Sequence, residues 1–366
     1  MANPKNLWVL GSHLGWVIKP EASSTPLALH DTKQQAWDHA LKMVLGRDLN
    51  VIHQGIDGKV AQVWSYTNNQ IVLGNRVIDP TSALWSDKLG QISKENRPMT
   101  AALILDQEKA LVLKCRQTLR PILGEHALLA DNAPMGTLQA PSTFDGSNFA
   151  DFLDLTNLKP QATSADIVAL CDKAKDMGAA TVCVNASRVN LAAELLQGTS
   201  TKAICVVGFP LGSTLPEAIA TEAKQAIADG AAELDMVINV GLLMDKEYNR
   251  VFEQVRTVVQ ASSVPVKVIL ETCKLSDEEV VLASLIAACA GAAFVKTSTG
   301  FSTDKRDDQP HTGATTGRIR LMRLAVGDNI GVKASGGIKT AGDATALLQN
   351  GADRLGASGL NTGDSY

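Results

Sequence analysis

From Asp151 onward, short apolar runs alternate with amphipathic stretches, and the alternation repeats eight times. Strands read at 152–158 (FLDLTNL), 181–185 (TVCVN), 203–209 (AICVVGF), 233–239 (ELDMVIN), 266–272 (VKVILET), 293–299 (AFVKTST), 331–337 (GVKASGG) and 354–358 (RLGAS). Helices read after the first seven, at 164–178, 187–197, 216–230, 246–260, 276–291, 317–327 and 341–351, several closing on glycine as helices often do. Such repetition builds βα units around a parallel sheet. Eight units predict an α/β fold, a (β/α)8 TIM barrel, whose active site forms at the C-terminal ends of its strands.

The 366 residues allow about two domains, and all five tryptophans precede residue 86. Residues 130–148 are rich in Pro, Gly, Ser, Thr and Asn and read as a linker. The division predicted is an N-terminal α+β accessory domain of unknown role over 1–130, a linker over 131–147 and the barrel over 148–366. In the first part, strands at 7–10 and 15–19, a helix at 31–45 capped by Asp31 or Thr32, and a hairpin of 50–54 with 60–66 give the order ββαββ. That order resembles a small bacterial domain of uncharacterised function. Residues 71–129 are expected to add helices, among them 99–119. His30, His39 and His53 lack metal-ligand spacing and read as fold and surface residues.

A formal charge of -4 offers no basic face to nucleic acid, so a small-molecule partner is expected. No apolar run approaches the ~20 residues that span a bilayer. The early LWVLGSHLGWVI is broken by Gly11, Ser12, His13 and Gly15, which suits two short strands better than a leader. Cys115, Cys171, Cys183, Cys205, Cys273 and Cys289 sit in apolar surroundings without CxxC spacing, which points to reduced thiols and a cytoplasmic location, with neither disulfides nor zinc.

A barrel interior leaves little room for unpaired charge, so the polar residues within the apolar strands are informative: Asp154, Asp235, Lys267, Lys296 and Lys333. Lys296 could snorkel from the barrel end, or join a structural ion pair. The reading preferred is an amine kept partly neutral so that it attacks a carbonyl to form a Schiff base. Lys333 falls on the neighbouring strand, about 4.8 Å away, and its ammonium would lower the pKa of one of the two. Asp235 would then shuttle protons. Gly336, Gly337, Gly356, Ser358 and Gly359, after strands seven and eight, with Gly300, would present backbone N–H groups to a phosphate. GATTGR at 313–318 is not a dinucleotide fingerprint, and no serine elbow occurs. The barrel half holds one histidine, His311, which disfavours a metal-dependent site.

The segments VVGFPLGS, ELDMVIN, KVILETCKLSDEE, FVKTSTGFST, GVKASGGIKT and RLGAS closely resemble the deoxyribose-phosphate aldolase family, over about residues 148–360. The resemblance implies reversible cleavage of 2-deoxy-D-ribose 5-phosphate to D-glyceraldehyde 3-phosphate and acetaldehyde without a cofactor. It implies that Lys296 forms the Schiff base, Lys333 perturbs it and Asp235 transfers the proton. Substrate contacts are implied at Asp154 and Thr156, and Lys267 joins the substrate-binding candidates with Gly300, Gly336, Gly337, Ser358 and Gly359. Family members end in a tyrosine that assists proton transfer, and Tyr366 is the candidate proton relay here. Two departures stand out: residues 304–311 lengthen the loop over the site, and only eight residues follow Ser358. Helices from 71–129, or a partner subunit in a homodimer, are expected to cover the flank that the last barrel helix would occupy. The alternatives are a related lysine aldolase or transaldolase on another phosphosugar, and a non-catalytic phosphosugar sensor.

Overall fold

The computed structural model describes residues 6–12, 15–20, 28–30, 36, 40, 49–54, 60–67, 70–73, 76–78, 101–127 and 134–360. The chain falls into two compact units, residues 1–106 with 307–310 and residues 107–306 with 311–366.

The first unit carries strands β1 (Asn6–Ser12), β2 (Gly15–Pro20), β3 (Ala28–His30), β4 (Leu49–Gln54), β5 (Val60–Thr67), β6 (Gln70–Leu73) and β7 (Arg76–Ile78). They form one sheet in the order β3-β2-β1-β4-β5-β6-β7. The β1–β4 pair is parallel and so needs a crossover connection. Between β3 and β4, Ala36 and Ala40 are helical and fully buried, one turn apart on a single face. The expected strands at 7–10, 15–19, 50–54 and 60–66 are present. Residues 70–78, in contrast, pair as two strands and not as helices. Their β-branched runs IVL and RVI flank Gly74-Asn75, a two-residue hairpin signal that composition alone conceals. His30 lies on β3 and His53 on β4, while His39 lies outside the described residues.

The second unit is a closed barrel of eight strands, β8 (Leu153–Asn157), β9 (Thr181–Asn185), β10 (Lys202–Val207), β11 (Glu233–Val237), β12 (Val266–Ile269), β13 (Phe294–Lys296), β14 (Gly331–Ser335) and β15 (Arg354–Ala357). Every neighbouring pair is parallel, and β15 pairs with β8 to close the ring. The eight strands fall where the sequence places them. Several end earlier than expected, the sixth at Lys296, although Thr297 N still donates to Lys333 O at 3.1 Å.

A helix α1 (Ala101–Leu123) precedes the barrel, whose own helices are α2 (Ser164–Met177), α3 (Ala186–Leu195), α4 (Pro216–Ala228), α5 (Val240–Met244), α6 (Tyr248–Ala261), α7 (Asp277–Cys289), α8 (Thr316–Val326) and α9 (Ala341–Gln349). Capping boxes start three of them, Thr163 with Asp166, Ser276 with Glu279 and Thr340 with Asp343. Each satisfies two otherwise unpaired N–H groups reciprocally, which fixes where the strand-to-helix loop ends. The short α5 is an addition, falling between the fourth strand and the helix read at 246–260.

Helix α1 corrects one expectation. It does not cover the flank beyond β15 but lies on α6, α7 and α8. Lys114 donates to Glu278 at 2.9 Å, Arg320 donates through two nitrogens to Glu108, and the His126 ring just beyond α1 stacks on Phe252 at 5.1 Å. The physical reason is α7, in which all of Val280–Ala287 is buried. A helix apolar on every side must be covered on both, by the sheet and by something outside it. Val112, Cys115 and Leu119 of α1 are buried. Among the described residues, no helix is long and apolar enough to cross a membrane.

Candidate active site

Parallel register sets the chemistry. Lys296 on β13 stands beside Lys333 on β14, Lys333 beside Arg354 on β15, and Asp235 on β11 beside Lys267 on β12. All are directed into the barrel, where Lys296 is 3% exposed and Lys267, Lys333, Asp154 and Asp235 are fully buried. The two lysines singled out in the sequence meet at one atom, for Lys296 Nζ and Lys333 Nζ each donate to Asp235 Oδ2 at 2.8 Å. Asp235 Oδ1 accepts from Lys267 Nζ at 2.9 Å. Asp154 makes an ion pair with Lys333 and accepts from Thr181 Oγ1 at 2.8 Å and from Arg354 Nη2 at 2.6 Å.

These contacts divide the lysines. Burial lowers the pKa of Lys296, the Lys333 ammonium lowers it further, and Asp235 opposes both without overcoming them. The like charge expected from the sequence acts in this direction, and desolvation is the larger cause. Burial also disfavours charge on Lys333, but Asp154 and Asp235 outweigh it and hold its pKa above the ordinary value. Burial would push Asp235 and Asp154 upward, yet the surrounding cations hold both carboxyls well below the usual range. One amine thus gives up its proton more readily than an ordinary lysine, beside another that holds its own more tightly.

Above this floor opens a cavity of about 410 Å³, lined by Lys296, Thr156, Asn157, Thr299, Gly300, the 335–339 loop and 356–358. Gly336 and Gly337 are consecutive residues of positive φ, 84° and 78°, a conformation that glycine adopts readily and that allows close approach of a ligand to the backbone. Gly313 supports the turn from behind. Ala314 N donates to Gly336 O at 3.1 Å, and a Cβ at 313 would stand 2.2 Å from that oxygen. GAT at 313–315 therefore braces the glycine loop.

Of the predicted substrate contacts, Thr156, Gly300, Gly336, Gly337 and Ser358 line the cavity, whereas Asp154, Lys267 and Gly359 do not. Asp154 and Lys267 lie in the barrel core, engaged by internal partners, and the lining stops at Ser358, one residue before Gly359. Tyr366 lies outside the described residues. The sequence reading missed Lys159 and Lys339, exposed cations in the cavity wall directly after the strand-one and glycine-loop motifs. It also missed Glu271. That residue holds φ 56°, uncommon for a side-chain-bearing residue, and its carboxylate accepts from Thr299 N at 3.3 Å and from the Thr299 hydroxyl. In sequence it falls near the end of the stretch read as the fifth strand, where a charged residue is ordinary, and only the structure, which ends that strand at Ile269, puts it in the loop.

A family model described as DeoC/LacD family aldolase matches residues 150–365. The chain belongs to the DeoC/LacD aldolase family. Within that family, a deoxyribose-phosphate aldolase of Clostridium perfringens is 49% identical over 216 residues, 58% of this chain and 93% of that one. Another, from a Geobacillus species, is 51% identical over 214 residues, covering 58% and 92%. Among solved structures, the deoxyribose phosphate aldolase of Aeropyrum pernix, described as tetrameric, superposes with a TM-score of 0.52 at 32% identity, over 58% of this chain and 88% of that one. The DeoC/LacD match includes all eight barrel strands and leaves residues 1–149 outside it.

Proposed function

We infer that this chain is a deoxyribose-phosphate aldolase, a class I aldehyde-lyase that reversibly cleaves 2-deoxy-D-ribose 5-phosphate to D-glyceraldehyde 3-phosphate and acetaldehyde through a Schiff base on Lys296. The observation that carries this reading is a buried amine with a lowered pKa in a cavity that is also lined by the glycine turn and by Lys159 and Lys339. Lys296 Nζ adds to C1 of the open-chain sugar, and loss of water leaves the iminium. The proton of the C3 hydroxyl departs, the C2–C3 bond breaks, and its electron pair flows into the iminium to give an enamine with release of glyceraldehyde 3-phosphate. Protonation of the enamine carbon and hydrolysis free acetaldehyde and restore Lys296.

Asp235 accepts from both lysines and is the residue through which a proton moves, directly or by one water, while Lys333 supplies the fixed positive charge. The phosphate takes the N–H groups of the 336–337 turn, with Ser358, Gly300, Lys159 and Lys339 nearby. Thr156 contacts the sugar from the opposite wall. Tyr366 remains part of the proposal as a proton relay.

Steady-state assays test the substrate assignment. Cleavage of deoxyribose 5-phosphate with kcat/KM at least about 100-fold above ribose 5-phosphate is expected, since one misplaced hydroxyl in a fitted site costs this much. Preference for the hydroxylated sugar would favour a transaldolase-like enzyme, and binding without turnover a sensor. A cytoplasmic location belongs to the same proposal and is supported by six buried cysteines present as thiols. A homodimer is proposed likewise, supported by the apolar side chains of Leu211 and Leu215, 74% and 72% exposed, and light scattering of the purified chain decides it.

A further inference from the structure

Glu233 and Arg354 occupy the first positions of β11 and β15, outside the cavity, and the reaction as derived uses neither. Followed around the barrel, the charged side chains alternate in sign. Glu233 meets Lys267 at 2.5 Å, Lys267 meets Asp235 at 2.9 Å and Asp235 meets Lys333 at 2.8 Å. Lys333 meets Asp154, Asp154 meets Arg354 at 2.6 Å, and Arg354 returns to Glu233 at 3.5 Å. Three carboxylates and three cations thus close a ring that is neutral as it stands. Lys296 hangs from it on Asp235 Oδ2 as a seventh charge, and the ring has no carboxylate left over for it. The other titratable groups facing Lys296 are the Cys183 thiol on β9, which burial pushes toward its neutral form, and Glu271 beyond β12, whose carboxylate is committed to Thr299.

We propose that Glu233 and Arg354 are positioning residues that keep this ring closed and neutral, so that Lys296 is the surplus cation and sheds its proton to meet carbonyl substrates. The inference rests on Lys296 being the Schiff-base nucleophile and extends it to two residues that never touch substrate. Its content is charge parity. Removing Arg354 leaves the ring one negative charge in excess, which retains the proton on Lys296. Removing Glu233 leaves one positive charge in excess, which expels it. Removing both restores parity.

The test is the pH dependence of imine formation between the full chain and acetaldehyde, trapped with cyanoborohydride and read by intact mass and peptide mapping. Arg354→Met is expected to move the midpoint to higher pH and Glu233→Gln to lower pH, each by about one unit, with the double variant back near the unaltered protein. Arg354→Lys keeps the charge and is expected to keep the midpoint; if Arg354→Met does not fold, Glu233→Gln and Arg354→Lys decide the matter. Single variants that shift together, or not at all, while the unaltered protein still forms its Lys296 adduct overturn the ring and leave the aldolase reading standing. Absence of a Lys296 adduct in the unaltered protein overturns both.

Discussion

A lysine 3% exposed keeps its charge only if a carboxylate neutralises it, and Asp235 is shared among three ammonium groups. Of these, Lys296 sits where the sharing is poorest. Its lowered pKa means that the unfolded chain binds more protons than the folded one between the folded value and the ordinary 10.5. The cost of burying Lys296 therefore shrinks as pH rises through that window, and the rate of imine formation is expected to rise with it and level off below pH 10.5. Asp235→Asn strips the ring of a carboxylate that three cations require. It is expected to lose about 3–5 kcal/mol in urea denaturation, as breaking buried pairs does, and to lose activity as well. An unchanged denaturation midpoint would contradict the ion-pair account. Lys296, Lys333 and Asp235 were legible in sequence because charge inside an apolar strand is anomalous. Glu233 and Arg354 were not, because charge at a strand's first position is ordinary and their pairing appears only when the barrel closes.

At the scale of elements, strands and helices followed from period and capping, since each βα unit carries its own signal. The loops at the barrel end were read only in part. Glycines marked the turn at 336–337, but nothing local ties it to GAT at 313–315, which reaches it only through the fold. Gly313→Ala would press a methyl group against Gly336 O, where a Cβ would lie at 2.2 Å. Its expected effect is a rise of about tenfold in KM for deoxyribose 5-phosphate, equivalent to about 1.4 kcal/mol of lost phosphate binding, with cleavage of unphosphorylated deoxyribose unchanged. Equal losses on both sugars would show that the turn does not hold the phosphate.

For the whole molecule, residues 107–123 of α1 fall in the same compact unit as the barrel, and the buried α7 has no polar face to give to solvent. The apolar count of α7 was visible in the sequence, yet which segment covers it depends on packing that no local pattern encodes. A chain beginning at Met99 is expected to retain its melting temperature and activity. One beginning at Pro134 loses the buried Val112, Leu119 and Leu123 and is expected to fall by several kcal/mol, at about 1.5–3 kcal/mol for each side chain uncovered. Equal melting temperatures for the two would dismiss α1 as part of the core. On this account the barrel holds one amine of lowered pKa at the floor of a cavity proposed to take the substrate phosphate. Borohydride reduction of the full chain with acetaldehyde, followed by peptide mass mapping, tests that claim most directly. The account predicts a single ethyl adduct on Lys296, a gain of about 28 Da from replacing one N–H hydrogen by an ethyl group, lost in Lys296→Arg. An adduct on Lys333 or Lys267, or none at all, would contradict it.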